Sequence, residues 1–169
     1  VPAAGWPHAV VRTPSGEVAI ALARADVVQV GAVRLPAPAL SETVAVAPDG
    51  RIATAGAMDG VVAIFAPDGP LIARHEVGGR PVRVAFDAGG NTLAVALSAG
   101  GAVALIEGGV VRVVPVAGVP DGLAFSSDAA RVYVSDVAGG QVTAVDVRSA
   151  SVEAVLAVGE GTGAILALP

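Results

Sequence analysis

His8, Glu42, Arg83 and Asp121 are the residues of this chain best equipped to act on a common ligand: an imidazole, two carboxylates and a guanidinium. Such a set donates and accepts hydrogen bonds and carries both signs of charge. Gathered in a concavity, it would hold a polar small molecule or a side chain of a partner protein. What links the four is their place in a repeat. With the repeating units aligned, His8, Glu42, Val82 and Asp121 fall at one level, Arg83 one step along, and Thr162 at the matching place in the last segment. The plain alternative is that they are solvated loop residues near the ends of strands.

Other chemistry is scarce. The chain has no cysteine, which removes a thiolate nucleophile, a thiolate metal site, a disulfide framework and covalent c-type haem. No Gly-x-Ser-x-Gly elbow occurs, so a hydrolase serine has no obvious seat. The pairs Gly78-Gly79, Gly100-Gly101 and Gly139-Gly140 lie between strand-like runs with no helix after them, so they read as turns and not as phosphate cradles. His75 is the other histidine, in a run expected to face solvent. All ten basic residues are arginine, scattered singly, in a chain of net charge −5. That leaves no basic stripe for nucleic acid. Asp49, Asp68 and Asp128 stand in tight turns, where a carboxylate bonds its own backbone, and Arg24, Arg34, Arg74, Arg112 and Arg148 fall mostly on outer strands or turns. Trp6, the one tryptophan, is expected to pack the terminus; capping a channel mouth or anchoring a partner are the alternatives.

The elements that must position these residues come from a period of about forty. Val44-Ala45-Val46-Ala47-Pro48-Asp49-Gly50, Val84-Ala85-Phe86-Asp87-Ala88-Gly89-Gly90 and Leu123-Ala124-Phe125-Ser126-Ser127-Asp128 superpose along the sequence. A fixed spacing of that size means one supersecondary unit copied. Within a period lie four short alternating runs, Thr43–Ala47, Arg51–Ala55, Val61–Phe65 and Leu71–Glu76 in the second unit, with Asp-Gly turns between them. Such turns favour hairpins. Hydrophobic residues make up 54% of the chain but aromatics only 3%, so the core must be small and β-branched, which suits closely stacked sheets. No apolar stretch is long enough to span a membrane as a helix.

Four antiparallel strands per unit, repeated radially, describe the blade of a β-propeller. A stacked solenoid would repeat at a shorter interval. The expected fold is therefore all-β, one domain over 1–169, a propeller of four-stranded blades at about 8–41, 42–81, 82–120 and 121–162. A leftover strand at 163–169 matches the start of a fifth unit. Four blades and a spare strand suggest a partial propeller, or half of a larger ring completed by a second copy or a partner protein; the alternative is a closed four-bladed ring with the spare strand tucked along the first unit.

Pro120-Asp121-Gly122-Leu123-Ala124-Phe125-Ser126-Ser127-Asp128, Arg131-Val132-Tyr133-Val134-Ser135-Asp136 and Gly140-Gln141-Val142-Thr143-Ala144-Val145-Asp146-Val147 resemble the YVTN family of propeller repeats. The likeness is best over residues 118–163, fair over 78–118 and degenerate before that. The same segment is similar to NHL repeats and to gluconolactonase (SMP-30-like) propellers, and dipeptides of the WD40 type are missing. The YVTN resemblance implies seven or eight blades in the finished ring, a non-enzymatic binding scaffold, and a periplasmic or extracellular location; the start at Val1 fits a leader cut away, or a piece of a longer protein. It also implies, as a second role, an accessory subunit docking an envelope redox complex. The gluconolactonase resemblance implies instead a divalent cation held by carboxylates and an asparagine, polarising a lactone. Asp121 matches one such position and Glu42 could supply another. The matching asparagine is missing, since Asn91 falls in a hairpin turn, so neither a metal site nor a catalytic residue is assigned and no cofactor is expected.

Overall fold

The computed structural model describes residues 5–159 and 161–166. Sixteen strands form four antiparallel sheets, each of four strands consecutive in sequence. Blade 1 holds β1 (Pro7–Arg12), β2 (Val18–Leu22), β3 (Val27–Val30) and β4 (Val33–Pro36). Blade 2 holds β5 (Ser41–Val46), β6 (Ile52–Gly56), β7 (Val61–Phe65) and β8 (Leu71–Glu76). Blade 3 holds β9 (Pro81–Phe86), β10 (Thr92–Leu97), β11 (Ala102–Glu107) and β12 (Val110–Pro115). Blade 4 holds β13 (Pro120–Phe125), β14 (Arg131–Asp136), β15 (Gln141–Asp146) and β16 (Ser151–Ala157). A single 3-10 turn, Ala23–Ala25, is the one helical feature among the described residues. Among the described residues no helix is long and apolar enough to cross a membrane. The protein is an all-β propeller assembly of four-stranded blades.

The core is divided among the blade interfaces. One apolar cluster joins blades 1 and 2 through Val28, Leu35, Ile52 and Phe65. A second joins blades 2 and 3 through Val62, Leu93, Val95 and Ile106. The third joins blades 3 and 4 through Val103, Leu105, Val132 and Val145. Blades 2 and 3 are therefore covered on both faces, which is why β6, β7 and β10 are buried at every position, and β7 reads as a continuous apolar run. Alanine at 53, 55, 94, 96 and 104 is fully buried: the sheets stack closely because alanine recurs among the facing positions.

The blades follow one another in an arc. Among the described residues no apolar cluster joins blade 4 back to blade 1. The outer face of blade 1 leaves Val10 71% and Val18 45% exposed, and that of blade 4 leaves Leu156 52% exposed. The segment expected as a leftover strand carries no strand ladder over its described part, 163–166, and 167–169 lie outside the described residues. It nonetheless runs against β13. Ser135 Oγ donates to the Gly163 carbonyl, and a β-carbon on Gly122 would overlap that same oxygen. At the interface of blades 2 and 3, Val84 N of β9 donates to Thr43 Oγ1 of β5 at 3.1 Å. Thr43 and Gly122 are equivalent in the repeat, so the segment sits where the innermost strand of a following blade would sit, and the absence of a side chain at 122 lets it in.

Candidate functional site

The innermost strands, β1, β5, β9 and β13, stand side by side along the inside of the arc. Each is bulged at its second residue. In β1 the register passes from Pro7↔Leu22 to Ala9↔Ala21, leaving His8 unpaired. In β5 it skips Glu42, and in β9 it skips Val82. In β13 the irregular stretch lies between Pro120 and Leu123 and contains Asp121. A bulge inserts one extra residue and re-aims its side chain. The level inferred from repeat alignment is thus a repeated backbone feature, with His8, Glu42, Val82 and Asp121 all on it.

Two contacts tie neighbouring blades at this level. His8 Nδ1 lies 2.9 Å from the Glu42 carbonyl oxygen. A carbonyl only accepts, so Nδ1 carries the proton and donates, which leaves Nε2 of the exposed ring free to accept from a ligand. Arg83 Nη2 donates to Asp121 Oδ1 at 3.1 Å, an ion pair with both side chains partly exposed. Exposed pairs of this kind contribute about 0–1 kcal/mol, so the pair orients two groups more than it holds the fold together. The Glu42 carboxylate is half-buried and has no side-chain partner among the described residues. The four candidates therefore form two linked couples, His8 with Glu42 and Arg83 with Asp121. Thr162 does not join them; its hydroxyl donates to the Gly159 carbonyl at 2.8 Å. Among the described residues no three His, Asp or Glu side chains gather as a metal would need.

The loops that lead into the innermost strands repeat as closely as the bulges. Trp6, Leu40 and Arg80 immediately precede β1, β5 and β9, and all three have positive φ, 63°, 57° and 53°. Their carbonyls accept from the residue following the second strand of the blade: Ala23 N, Ala57 N and Ser98 N, at 3.1 Å each. Val119 takes the same bond from Val137 N at 3.2 Å, with Gly118 before it supplying the positive φ, 71°. A non-glycine residue in the left-handed region costs about 1–3 kcal/mol and survives only where its surroundings over-determine it; here the paired amides do so.

Asp136 finishes the arrangement in blade 4. Its buried carboxylate accepts from Val119 N at 2.8 Å and Ala138 N at 3.0 Å. These amides, Val119 first, and that of Gly139 hold its pKa below the usual carboxylate value against the opposing effect of desolvation. A β-carbon on Gly118 would overlap this carboxylate. Asp59 and Asp26 play related parts in blade 2, accepting from Ala39 N at 3.2 Å and Leu40 N at 2.8 Å.

Sequence reasoning singled out neither this inner carboxylate nor the residues before the innermost strands, Trp6 apart. The available signal was a recurring X-Pro step, Trp6-Pro7, Arg80-Pro81 and Val119-Pro120. Proline opens a strand where no amide is needed for the ladder. Trp6 is 49% exposed, with the Arg24 guanidinium 4.4 Å from its ring centroid and His8 edge-on at 5.9 Å. It therefore stands at the mouth beside the candidate set and is not packed away.

No family model matches the chain, and no curated protein matches it by sequence. Solved structures do match in fold. Hydrazine synthase of Kuenenia stuttgartiensis aligns over 91% of this chain and 49% of its own, with TM-score 0.79 and 19% identity. The Swd1 β-propeller domain of Myceliophthora thermophila aligns over 92% and 56%, with TM-score 0.79 and 13% identity. Virginiamycin B lyase of Staphylococcus aureus aligns over 95% and 59%, with TM-score 0.81 and 13% identity. The chain thus spans about half the length of these propellers. They share its fold, and by name they include a synthase, a lyase and a β-propeller domain.

Proposed function

We propose that the chain is a YVTN-like propeller platform of the cell envelope, periplasmic or extracellular, that binds a protein or small ligand without transforming it. The observation that carries this reading is the repeated bulge, which sets His8, Glu42 and Asp121 at one level with Arg83 beside them, on three different blades plus their neighbour. A free imidazole Nε2, an unpaired carboxylate and an ion pair that can open make a recognition surface. None of them is arranged as nucleophile, base and orienting group, the geometry that covalent catalysis requires. The open flanks of blades 1 and 4 support a further part of the reading: additional blades, from a second copy or another protein, complete the ring.

The test is thermal unfolding of the intact chain against a panel of small carboxylates, amines and sugars, with Glu42→Gln, Asp121→Asn and His8→Ala alongside. A ligand that binds only the folded state raises the midpoint. Loss of that rise in the ring variants supports the reading, and an unchanged rise in all three sinks it. Light scattering adds the mass: twice 16.3 kDa supports closure by a second copy.

The role as an accessory subunit of an envelope redox complex finds support in the hydrazine synthase likeness, at the level of fold. The chain has no cysteine for covalent haem, so it would be the scaffold. A Soret band co-purifying with the chain would favour this role, and its absence from preparations of the native assembly would remove it.

A further inference from the structure

The four residues that lead into the innermost strands form a second ring, above the polar one. Trp6, Leu40, Arg80 and Val119 hold equivalent places, their carbonyls pinned by equivalent amides. Trp6 and Val119 are exposed large apolar groups, at 49% and 38%. On the hairpins bonded to these residues stand Met58, whose amide donates to Ala39 O, and Val137, whose amide donates to Val119 O. They are 75% and 38% exposed. Arg24 lies over the Trp6 ring, and Arg80 is exposed. Among the described residues neither guanidinium has a carboxylate partner. The acidic groups of this rim are engaged: Asp26 with Leu40 N, Asp59 with Ala39 N and Arg74, Asp121 with Arg83, Asp136 with Val119 N. Glu42, at the level beneath, is the unpaired acid nearest the ring.

We infer that this rim is a docking surface for a peptide segment of a partner protein in which large apolar side chains flank a carboxylate. The inference rests on the platform reading and names its partner class. Tryptophan and arginine are the residue types that dominate binding energy at interfaces. Half-exposed tryptophan under a guanidinium presents an apolar face with a cation at its edge, and Arg80 offers a second, fork-shaped carboxylate receptor on a backbone fixed by two hydrogen bonds, from Ser98 N and Ser98 Oγ to its carbonyl, both at 3.1 Å. The rim keeps the charges of Asp26 and Asp136, which backbone amides hold but do not neutralise; at Arg24, over the half-exposed Trp6 ring, and at Arg80 it complements the carboxylate of an acidic-apolar peptide. It repels a basic one at the same two points.

The probe is a phage-displayed library of random dodecapeptides selected on the intact chain. Enriched peptides carrying a fluorescent label are then titrated by anisotropy, a readout that does not depend on Trp6. The expected result is enrichment of acidic residues beside apolar ones, and affinity reduced about tenfold or more in Arg80→Ala and Trp6→Phe. Replacement of the peptide's acids by amides should do the same. No enrichment over an unrelated protein overturns the inference, as does affinity unchanged in Arg24→Ala and Arg80→Ala. Peptides sensitive to Glu42→Gln and Asp121→Asn but indifferent to Arg80→Ala would overturn the rim while sparing the polar ring. The reverse pattern would spare the rim alone.

Discussion

Replacing Asp136 tests whether the mouth of blade 4 is held by a buried carboxylate. The side chain is 4% exposed and accepts from Val119 N and Ala138 N, with the Gly139 amide a further donor. A hydrogen bond to a charged group is worth about 1.5–3 kcal/mol, and a neutral one about 0.5–1.5. Val119, Ala138 and Gly139 are all exposed residues, so water can reach their amides once the carboxylate is gone, and the losses do not add in full. Asp136→Ala should therefore cost about 2–3 kcal/mol, and Asp136→Asn, which keeps a neutral acceptor of the same shape, about 1 kcal/mol. The pH dependence has a definite sign. Amide bonds lower the folded pKa below the ordinary value of 3.8, so the carboxylate's contribution is present above 3.8 and is lost as pH falls through the lower folded value. The stability gap between the natural chain and Asp136→Asn should narrow across that acid window and stay constant above it. Urea unfolding followed by far-UV circular dichroism at several pH values reads both numbers. Hydrogen exchange over residues 117–140 should show the loosened segment. A cost for Asp136→Ala below about 0.5 kcal/mol, or a gap that ignores acid, would refute the reasoning.

Phe65→Ala, at a side chain 1% exposed between blades 1 and 2, should cost about 3–5 kcal/mol in the same urea experiment. A double-mutant cycle on Arg83→Ala and Asp121→Ala should give a coupling below about 1 kcal/mol, because both partners are partly exposed. Gly122→Val, whose β-carbon would overlap both the Gly163 carbonyl oxygen and the Ser135 hydroxyl, should expel the segment 161–166 from beside β13, seen as new protease cleavage near the C-terminus, and should also lower the midpoint of the urea transition.

The blades were legible because their signals are local. Alternating runs bounded by Asp-Gly turns place strands at Val61–Phe65 and Leu71–Glu76 to the residue, and Thr43–Ala47 and Arg51–Ala55 differ from the observed Ser41–Val46 and Ile52–Gly56 only by a residue or two at each end. The common level of His8, Glu42, Val82 and Asp121 was legible for the same reason, since a bulge keeps its place in every copy. What lay beyond reach depends on contacts between copies. Nothing near Arg83 in the sequence says that its partner is Asp121, a full repeat away, or that His8 meets a backbone carbonyl at Glu42 and not its side chain. Arg24 and Trp6 meet because two loops of one blade are pinned together, Arg24 N to Gly5 O and Ala23 N to Trp6 O. Asp136 looks like one more strand-end carboxylate until Gly118 is seen to leave room for it.

These observations separate what builds the mouth from the side chains it displays. The bulge and the left-handed residue before it are made by backbone bonds, and the blade-to-blade cores lie below them in β-branched and small residues. The side chains at the bulge, and at the residue two before it, do little of that structural work. In successive blades the bulge carries histidine, glutamate, valine and aspartate, and the residue before the strand carries tryptophan, leucine, arginine and valine, on nearly the same backbone. A position that accepts an imidazole, a carboxylate or an isopropyl group without changing the strand is one where binding specificity can change at little cost in stability. The chemistry of this mouth is therefore set by a few positions per blade, and blades added at either open flank would extend it by the same few positions each.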